Sequence, residues 1–232
     1  MLSTDNVLLD RAGILKSLFF YDRVDAGRQL AQELTQRQDL ALPQDTVVLG
    51  LPRGGVPVAA EVASALDAEL DVLVVRKLGV PFRPELAMGA VGEDEITVLN
   101  TEIIRRAGVT KAEQAEAIRQ HRQEVRDRVK RLRPPGTEPV QLQDRTAVIV
   151  DDGVATGATA KVGGQLARAR GATRIILAIP VAPYLVLESL RNAKVFDEIV
   201  CLSTPARFKS VGAYYADFEQ VSDAQVRQIL GA

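Results

Sequence analysis

Tryptophan is absent from this 232-residue chain, aromatic residues make up 4% of it, and it has one cysteine and one histidine. Each scarcity closes off a chemistry. With Cys201 alone there can be no internal disulfide and no cysteine-rich metal site. A reducing cytosol fits, so a cytoplasmic protein is expected. His121 lies among charges in HRQEVRDR and reads as a solvated helix-face residue, which argues against a Ser–His or Cys–His mechanism. No apolar run approaches the ~18–20 residues of a membrane span. The opening MLSTDNVLLDRAG lacks a basic region followed by a long apolar run, so no signal peptide is expected. The formal net charge of −1 gives no general attraction to nucleic acid or to a membrane surface. What is present is a 47% hydrophobic composition, enough to bury a sizeable core in a single domain.

Short apolar runs alternate with helical patterns along the chain. Residues 46–50 (TVVLG) read as a buried strand, and 56–66 follow with apolar residues at helical spacing. Residues 71–75 (DVLVV) are a second strand. Residues 96–99 are a third, with 89–92 as a hairpin partner across GEDE. Residues 146–150 (TAVIV), 174–180 (RIILAIP) and 198–202 (EIVCL) continue the series. Between them lie helices over 158–170, capped by Gly171, and 183–193, with proline in the first turn. Such short β-branched runs with intervening helices predict an α/β fold, a doubly wound, mostly parallel sheet covered on both faces. Cys201 falls within a strand, where a buried inert thiol is expected.

Two segments stand outside that core. Residues 25–37 predict an N-terminal amphipathic helix. Residues 110–133 predict a long charged helix that stops at Pro134–Pro135–Gly136. Its apolar positions Ala115, Ile118, Val125, Val129 and Leu132 form a thin seam. Eight Lys/Arg face four Asp/Glu over 111–133. The segment reads as a solvated helix that packs one stripe on the core or on a second subunit. RNA binding is disfavoured because no aromatic residue is there to stack bases.

The stretch VIVDDGVATGATA (residues 148–160) carries the most chemistry. Two carboxylates end a strand, and a loop of small residues and hydroxyls leads into a helix. Helix N-termini expose unpaired N–H groups and bind phosphate. Gly157 allows close backbone approach, and Thr156 and Thr159 can donate hydroxyl hydrogen bonds. Asp151 and Asp152 would repel a phosphate beside them, so they should face sugar hydroxyls or Mg²⁺. A ribose 5-phosphate presents both features one sugar length apart.

This stretch resembles the phosphoribosyl-pyrophosphate motif of type I phosphoribosyltransferases. By that resemblance Asp151 and Asp152 hold the ribose 2′- and 3′-hydroxyls. The loop Gly153, Val154, Ala155, Thr156, Gly157, Ala158 and Thr159 belongs to the ribose 5-phosphate site, with 155–159 wrapping the phosphate. VLGLPRGGVPVA (48–59) is similar to the family's pyrophosphate loop, with Arg53 as the charge and Gly54 and Gly55 as backbone donors. VVRKLGVPFRPEL (74–86) looks like the strand end that opens the family's flexible catalytic loop, with Arg76 and Lys77 at its head. The resemblance spans roughly residues 45–205 and is nearest to a bacterial group of predicted phosphoribosyltransferases. It implies one domain over 1–232, with a core at about 45–205, a helical insertion at about 101–135 and a hood from about 1–44 and 203–232.

The implied reaction transfers phosphoribosyl from phosphoribosyl pyrophosphate to a nitrogen acceptor with inversion at C1, through an oxocarbenium-like transition state. Arg53, Arg76, Lys77 and Mg²⁺ would stabilise the leaving pyrophosphate, and a lid over 78–85 would exclude water. Mg²⁺ would be held mainly through the substrate, with Asp151 and Asp152 as candidate protein ligands. The acceptor is expected to be a nucleobase, purine on the strength of one segment. RFKSVGAYYADFEQVSD (207–223) is similar to the base-binding stretch of hypoxanthine–guanine enzymes, with Phe208 as stacker, Tyr214 beside it and Asp217 as the later acid. The chain departs from those enzymes at Ala155, where they commonly carry an acid. The alternative is a non-catalytic sensor of phosphoribosyl pyrophosphate, nucleic-acid binding being one form of it; no segment before residue 45 is long enough for a helix-turn-helix, and the intact Arg–Gly–Gly and Arg–Lys segments favour catalysis. A homodimer is implied by analogy with the fold.

Overall fold

The computed structural model describes residues 7–9, 15–17 and 20–231 apart from Asp94. Near the N-terminus β1 (Val7–Leu9) and β2 (Leu15–Ser17) pair antiparallel. Helix α1 (Arg23–Gln36) starts where the Asp22 carboxylate accepts the Asp25 N–H at 2.8 Å, an N-cap for one orphan donor. Then come β3 (Val47–Gly50), α2 (Gly55–Leu66), β4 (Glu69–Val72), β5 (Val75–Val80), β6 (Arg83–Gly92) and β7 (Thr97–Leu99). Helices α3 (Thr101–Ala107) and α4 (Lys111–Leu132) follow. The second half is β8 (Thr146–Val150), α5 (Ala158–Ala169), β9 (Arg174–Val181), α6 (Tyr184–Asn192) and β10 (Glu198–Ser203). A short 3₁₀ turn (Val211–Tyr214) and α7 (Asp223–Ile229) close the chain.

The expected α/β architecture is present. Among the described residues, β10-β9-β8-β3-β4 form a five-stranded sheet with every pairing parallel. Alternation along each strand sends side chains to both faces, and both are covered. Val47 and Leu49 of β3, Ala147 and Ile149 of β8, and Ile175 and Leu177 of β9 pack with α5 and α6. The alternate residues Val48, Val148, Val150, Ile176 and Ala178 pack with α1 and α2. No helix among the described residues is long and apolar enough to cross a membrane.

The middle of the chain corrects several expectations. The run at 71–75 is not one strand. Its parallel pairing with β3 ends at Gly50↔Val72, and Val75 already belongs to β5 in a separate antiparallel sheet of order β5-β6-β7. The four apolar residues VLVV serve two sheets in turn, which hydrophobicity alone cannot separate. The segment 78–85 is not an open loop. Leu78↔Gly89, Gly79↔Ala87 and Val80↔Arg83 pair across a hairpin with register shifts at Gly79. The expected pairing of 89–92 with 96–99 is there, as Gly89↔Leu99, Ala90↔Val98 and Val91↔Thr97.

The long helix α4 is capped as a box, with Thr110 Oγ1 accepting the Glu113 N–H and Glu113 accepting the Thr110 N–H. Val125 and Leu132 are buried, while Ile118 and Val129 pack beside β5, β6 and α7. Ala115 is exposed, and Ala117 takes its place on the packed stripe.

Candidate active site

The strand order places the site. From β3 the chain moves outward to β4, then returns to lay β8 on the other side of β3 and continues to β9 and β10. The direction reverses between β3 and β8, and such switch points open a crevice beyond the strand carboxyl ends. Gly50 and Val150 are register partners there, and the Leu51 N–H donates to the Val150 carbonyl at 2.8 Å. Beyond them the loop 51–54 runs into α2, and the loop 151–157 runs into α5. Two helix N-termini therefore open at one place.

The loops touch so closely that glycine is required. A Cβ on Gly54 would stand 2.0 Å from an Asp152 carboxylate oxygen, and one on Gly55 would stand 2.6 Å from the Val150 carbonyl. Gly157 caps α5 at φ +77°, in the left-handed region that favours glycine. Ala155, Thr156, Ala158 and Thr159 around it are exposed. Gly153 and Val154 are buried, and the Val154 N–H bonds the Val181 carbonyl at 2.9 Å.

The acidic pair is poorly hydrated. The Asp151 carboxylate accepts the Asp152 N–H at 2.9 Å, and Asp152 accepts Arg23 Nε at 2.8 Å. Burial pushes the Asp151 carboxyl well above the usual carboxylate range, and the Asp152 charge adds to this. Burial also raises Asp152, with Arg23 opposing. The terminal segments close over the pair. Tyr215 Oη donates to the Asp152 carbonyl at 2.5 Å, and the Arg23 guanidinium sits 3.8 Å from the Phe218 ring centroid while donating to the Glu219 carbonyl.

On the other side the groups are cationic. Arg53 lies 3.2 Å from Asp223, and Arg76 lies 2.8 Å from Glu124. Lys77 reaches the Glu85 carbonyl at 3.2 Å within its own hairpin. Arg128 of α4 donates to the carbonyl of Pro52, next to Arg53, at 3.1 Å.

The structure thus brings Arg53, Gly54, Gly55, Asp151, Asp152 and the 153–159 loop to one crevice. The aromatic candidates lie differently. Phe208 stacks on Tyr214 at 5.6 Å, and Tyr214 is buried with its hydroxyl donating to the Arg207 carbonyl. Asp217 is exposed, and its N–H bonds the Tyr21 carbonyl. Arg23, Tyr215, Arg128 and Asp223 were not singled out as site residues in the sequence. Arg23 and Tyr215 lie far in sequence from the acidic motif, and Arg128 was hidden in a long charged helix.

A family model described as the phosphoribosyl transferase domain matches residues 21–215. Two relatives from Mycobacterium tuberculosis, strains CDC 1551 and H37Rv, carry the provisional name of phosphoribosyl transferase. Each is 53% identical over 207 residues, which is 89% of this chain and 45% of the relative. The chain therefore spans about half the length of those relatives. The crystal structure of TT1426 from Thermus thermophilus is similar at a TM-score of 0.81 and 42% identity, covering 91% of this chain and 97% of that one.

Proposed function

The chain belongs to the phosphoribosyl transferase domain family, and from that premise we propose that it moves 5-phosphoribosyl from phosphoribosyl pyrophosphate to a nitrogen acceptor. The observation that carries this reading is the contact of the Gly54–Gly55 loop with the Asp151–Asp152 pair at the switch point. One crevice then offers acceptors for sugar hydroxyls and two helix N-termini for phosphates.

In this reading Asp151 and Asp152 accept the ribose 2′- and 3′-hydroxyls. The amides and hydroxyls of 155–159 hold the 5-phosphate. Arg53, Arg76 and Lys77 face the pyrophosphate side. The C1–O bond to pyrophosphate breaks and its electron pair leaves on the pyrophosphate oxygen. The acceptor nitrogen forms the new C1–N bond from its lone pair and gives up its proton. The β5–β6 hairpin, which carries Arg76 and Lys77, would exclude water as a lid.

The donor set fits Mg²⁺ shared with a substrate. Among the described residues no cluster of three or more His, Cys, Asp or Glu could hold a metal alone. Mg²⁺ usually binds through one or two carboxylates plus substrate phosphates. Asp151 and Asp152 would hold it, and when bound it supplies charge neutralisation at the pyrophosphate oxygens.

A nucleobase acceptor, purine before pyrimidine, is part of the proposal, supported by the sequence similarity of 207–223 to a base-binding stretch and not by the placement of Phe208, which stacks on the buried Tyr214. The homodimer and the cytoplasmic setting expected from the sequence belong to it too. The test is pyrophosphate release from phosphoribosyl pyrophosphate with Mg²⁺ against purines, pyrimidines, nicotinate and simple amines. Release dependent on one acceptor supports transfer. Tight binding with no release across the panel favours a sensor.

A further inference from the structure

The parallel core supplies the acidic half of the crevice, but much of the cationic half comes from elsewhere. Arg128 projects from α4 and donates to the Pro52 carbonyl at 3.1 Å. One turn earlier on the same helix, Glu124 holds Arg76 at 2.8 Å. Three residues later, Arg131 shares Asp223 of α7 with Arg53, at 3.7 and 3.2 Å. Arg227 of α7 in turn donates to the Arg131 carbonyl. Of these, Arg53 and Arg131 share Asp223, Arg76 pairs with Glu124, and Arg128 bonds a backbone carbonyl, so these four guanidiniums carry two positive charges more than the two carboxylates they meet.

A mechanical role for this cluster is the simplest rival, and it explains too little. Helix α4 is already fastened by Arg133, which is buried with Asp71 and Glu93 and bonds both. Pinning the Pro52 loop needs one arginine, not four. Gathering like charges costs free energy unless an anion compensates, most of all at the partly buried Arg53 and Arg128, less at the exposed Arg76 and Arg131. Arg128 feels that cost. Burial disfavours its charged form first, and the Arg76 and Arg53 charges add to this.

We propose that Arg128 of α4 is a direct ligand of the substrate's diphosphate, completing a clamp with Arg53, Arg76 and Arg131, and that Asp223 is an internal counter-ion which the diphosphate displaces from Arg53. This rests on the phosphoribosyl-transfer reading and extends it. The charged helix, read from sequence as a solvated face, becomes a wall of the site, and α7 becomes a competitor for it.

The test titrates two probes separately by calorimetry, inorganic pyrophosphate and ribose 5-phosphate, into the full chain. Arg128→Gln should weaken pyrophosphate by about 10-fold or more, the scale of a charge-assisted hydrogen bond. It should leave ribose 5-phosphate within about twofold. Arg128→Lys, which keeps the charge without the fork, should recover part of the loss. Asp223→Asn should tighten pyrophosphate, because its competitor is gone. Unchanged pyrophosphate affinity in Arg128→Gln, or weaker affinity in Asp223→Asn, overturns the clamp. Should Arg128→Gln fail to fold, the half-exposed Asp223→Asn decides alone. The two readings fail separately. A wild-type chain that binds neither probe counts against phosphoribosyl transfer. One that binds both, with pyrophosphate indifferent to these variants, counts against the clamp only.

Discussion

Asp151 and Asp152 sit where burial works against their charge, and Arg23 is the one cation paired with either among the described residues. A buried carboxyl whose pKa is raised in the fold binds protons more readily there than in the unfolded chain. Its stability contribution is present at low pH and is lost as pH rises from the ordinary carboxylate range through the raised value. The free protein should therefore lose stability over that interval. Asp151→Asn should remove much of the loss, raising the melting temperature at neutral pH by roughly 2–4 °C for each kcal/mol relieved. The same change should weaken phosphoribosyl pyrophosphate binding, and differential scanning fluorimetry with and without ligand reads both. A melting temperature lowered at neutral pH would contradict the assignment of cost to this pair. Cys201 is half-buried rather than buried as expected; burial still pushes its thiol up to about 12, and Sγ donates to the Ser203 carbonyl. At this scale the local motif names the acids and glycines directly. Arg23, 129 residues away from Asp152 in sequence, carries no mark of that pairing.

Elements were legible where one pattern served one structure. The parallel strands read clearly because their apolar runs are buried on both faces, and α4 read clearly because its cap and its proline stop are local. The region between Asp71 and Glu93 did not read clearly, because its apolar residues are divided between a parallel strand end and an antiparallel hairpin. The buried Arg133–Asp71–Glu93 cluster was invisible for a related reason, since Arg133 belongs by sequence to a charged helix end. Arg133 lies 2.9 Å from Asp71 and 2.5 Å from Glu93, and Asp71 also accepts the Val140 N–H. It ties the end of α4 to β4 and to the end of β6. Arg133→Ala would leave two carboxylates buried without their cation, a loss of about 3–5 kcal/mol for a broken buried pair. Glu93 is already pushed up by burial, with Arg133 holding it back. Without that cation, its pKa rises further. The deficit should then grow as pH rises from the acid range to neutral. Urea melts at two pH values check this, and a deficit that shrinks at neutral pH would contradict it.

Across the described residues, the segments around Phe20 and Tyr215 meet beside the crevice that the core opens. Phe20 bridges to Tyr215, with the Phe20 N–H donating to the Tyr214 carbonyl and the Ala216 N–H to the Phe20 carbonyl, both at 2.8 Å. The near-zero net charge of the chain conceals an acidic side and a cationic side of one crevice, a separation that no composition figure reveals. The central claim is that this crevice binds phosphoribosyl pyrophosphate through its paired acids. Titrating phosphoribosyl pyrophosphate with Mg²⁺ into the wild-type chain and into Asp151→Asn/Asp152→Asn tests it most directly. The account predicts saturable binding by the wild type and its loss in a double variant that still melts cooperatively. Equal affinity in the two proteins would contradict it.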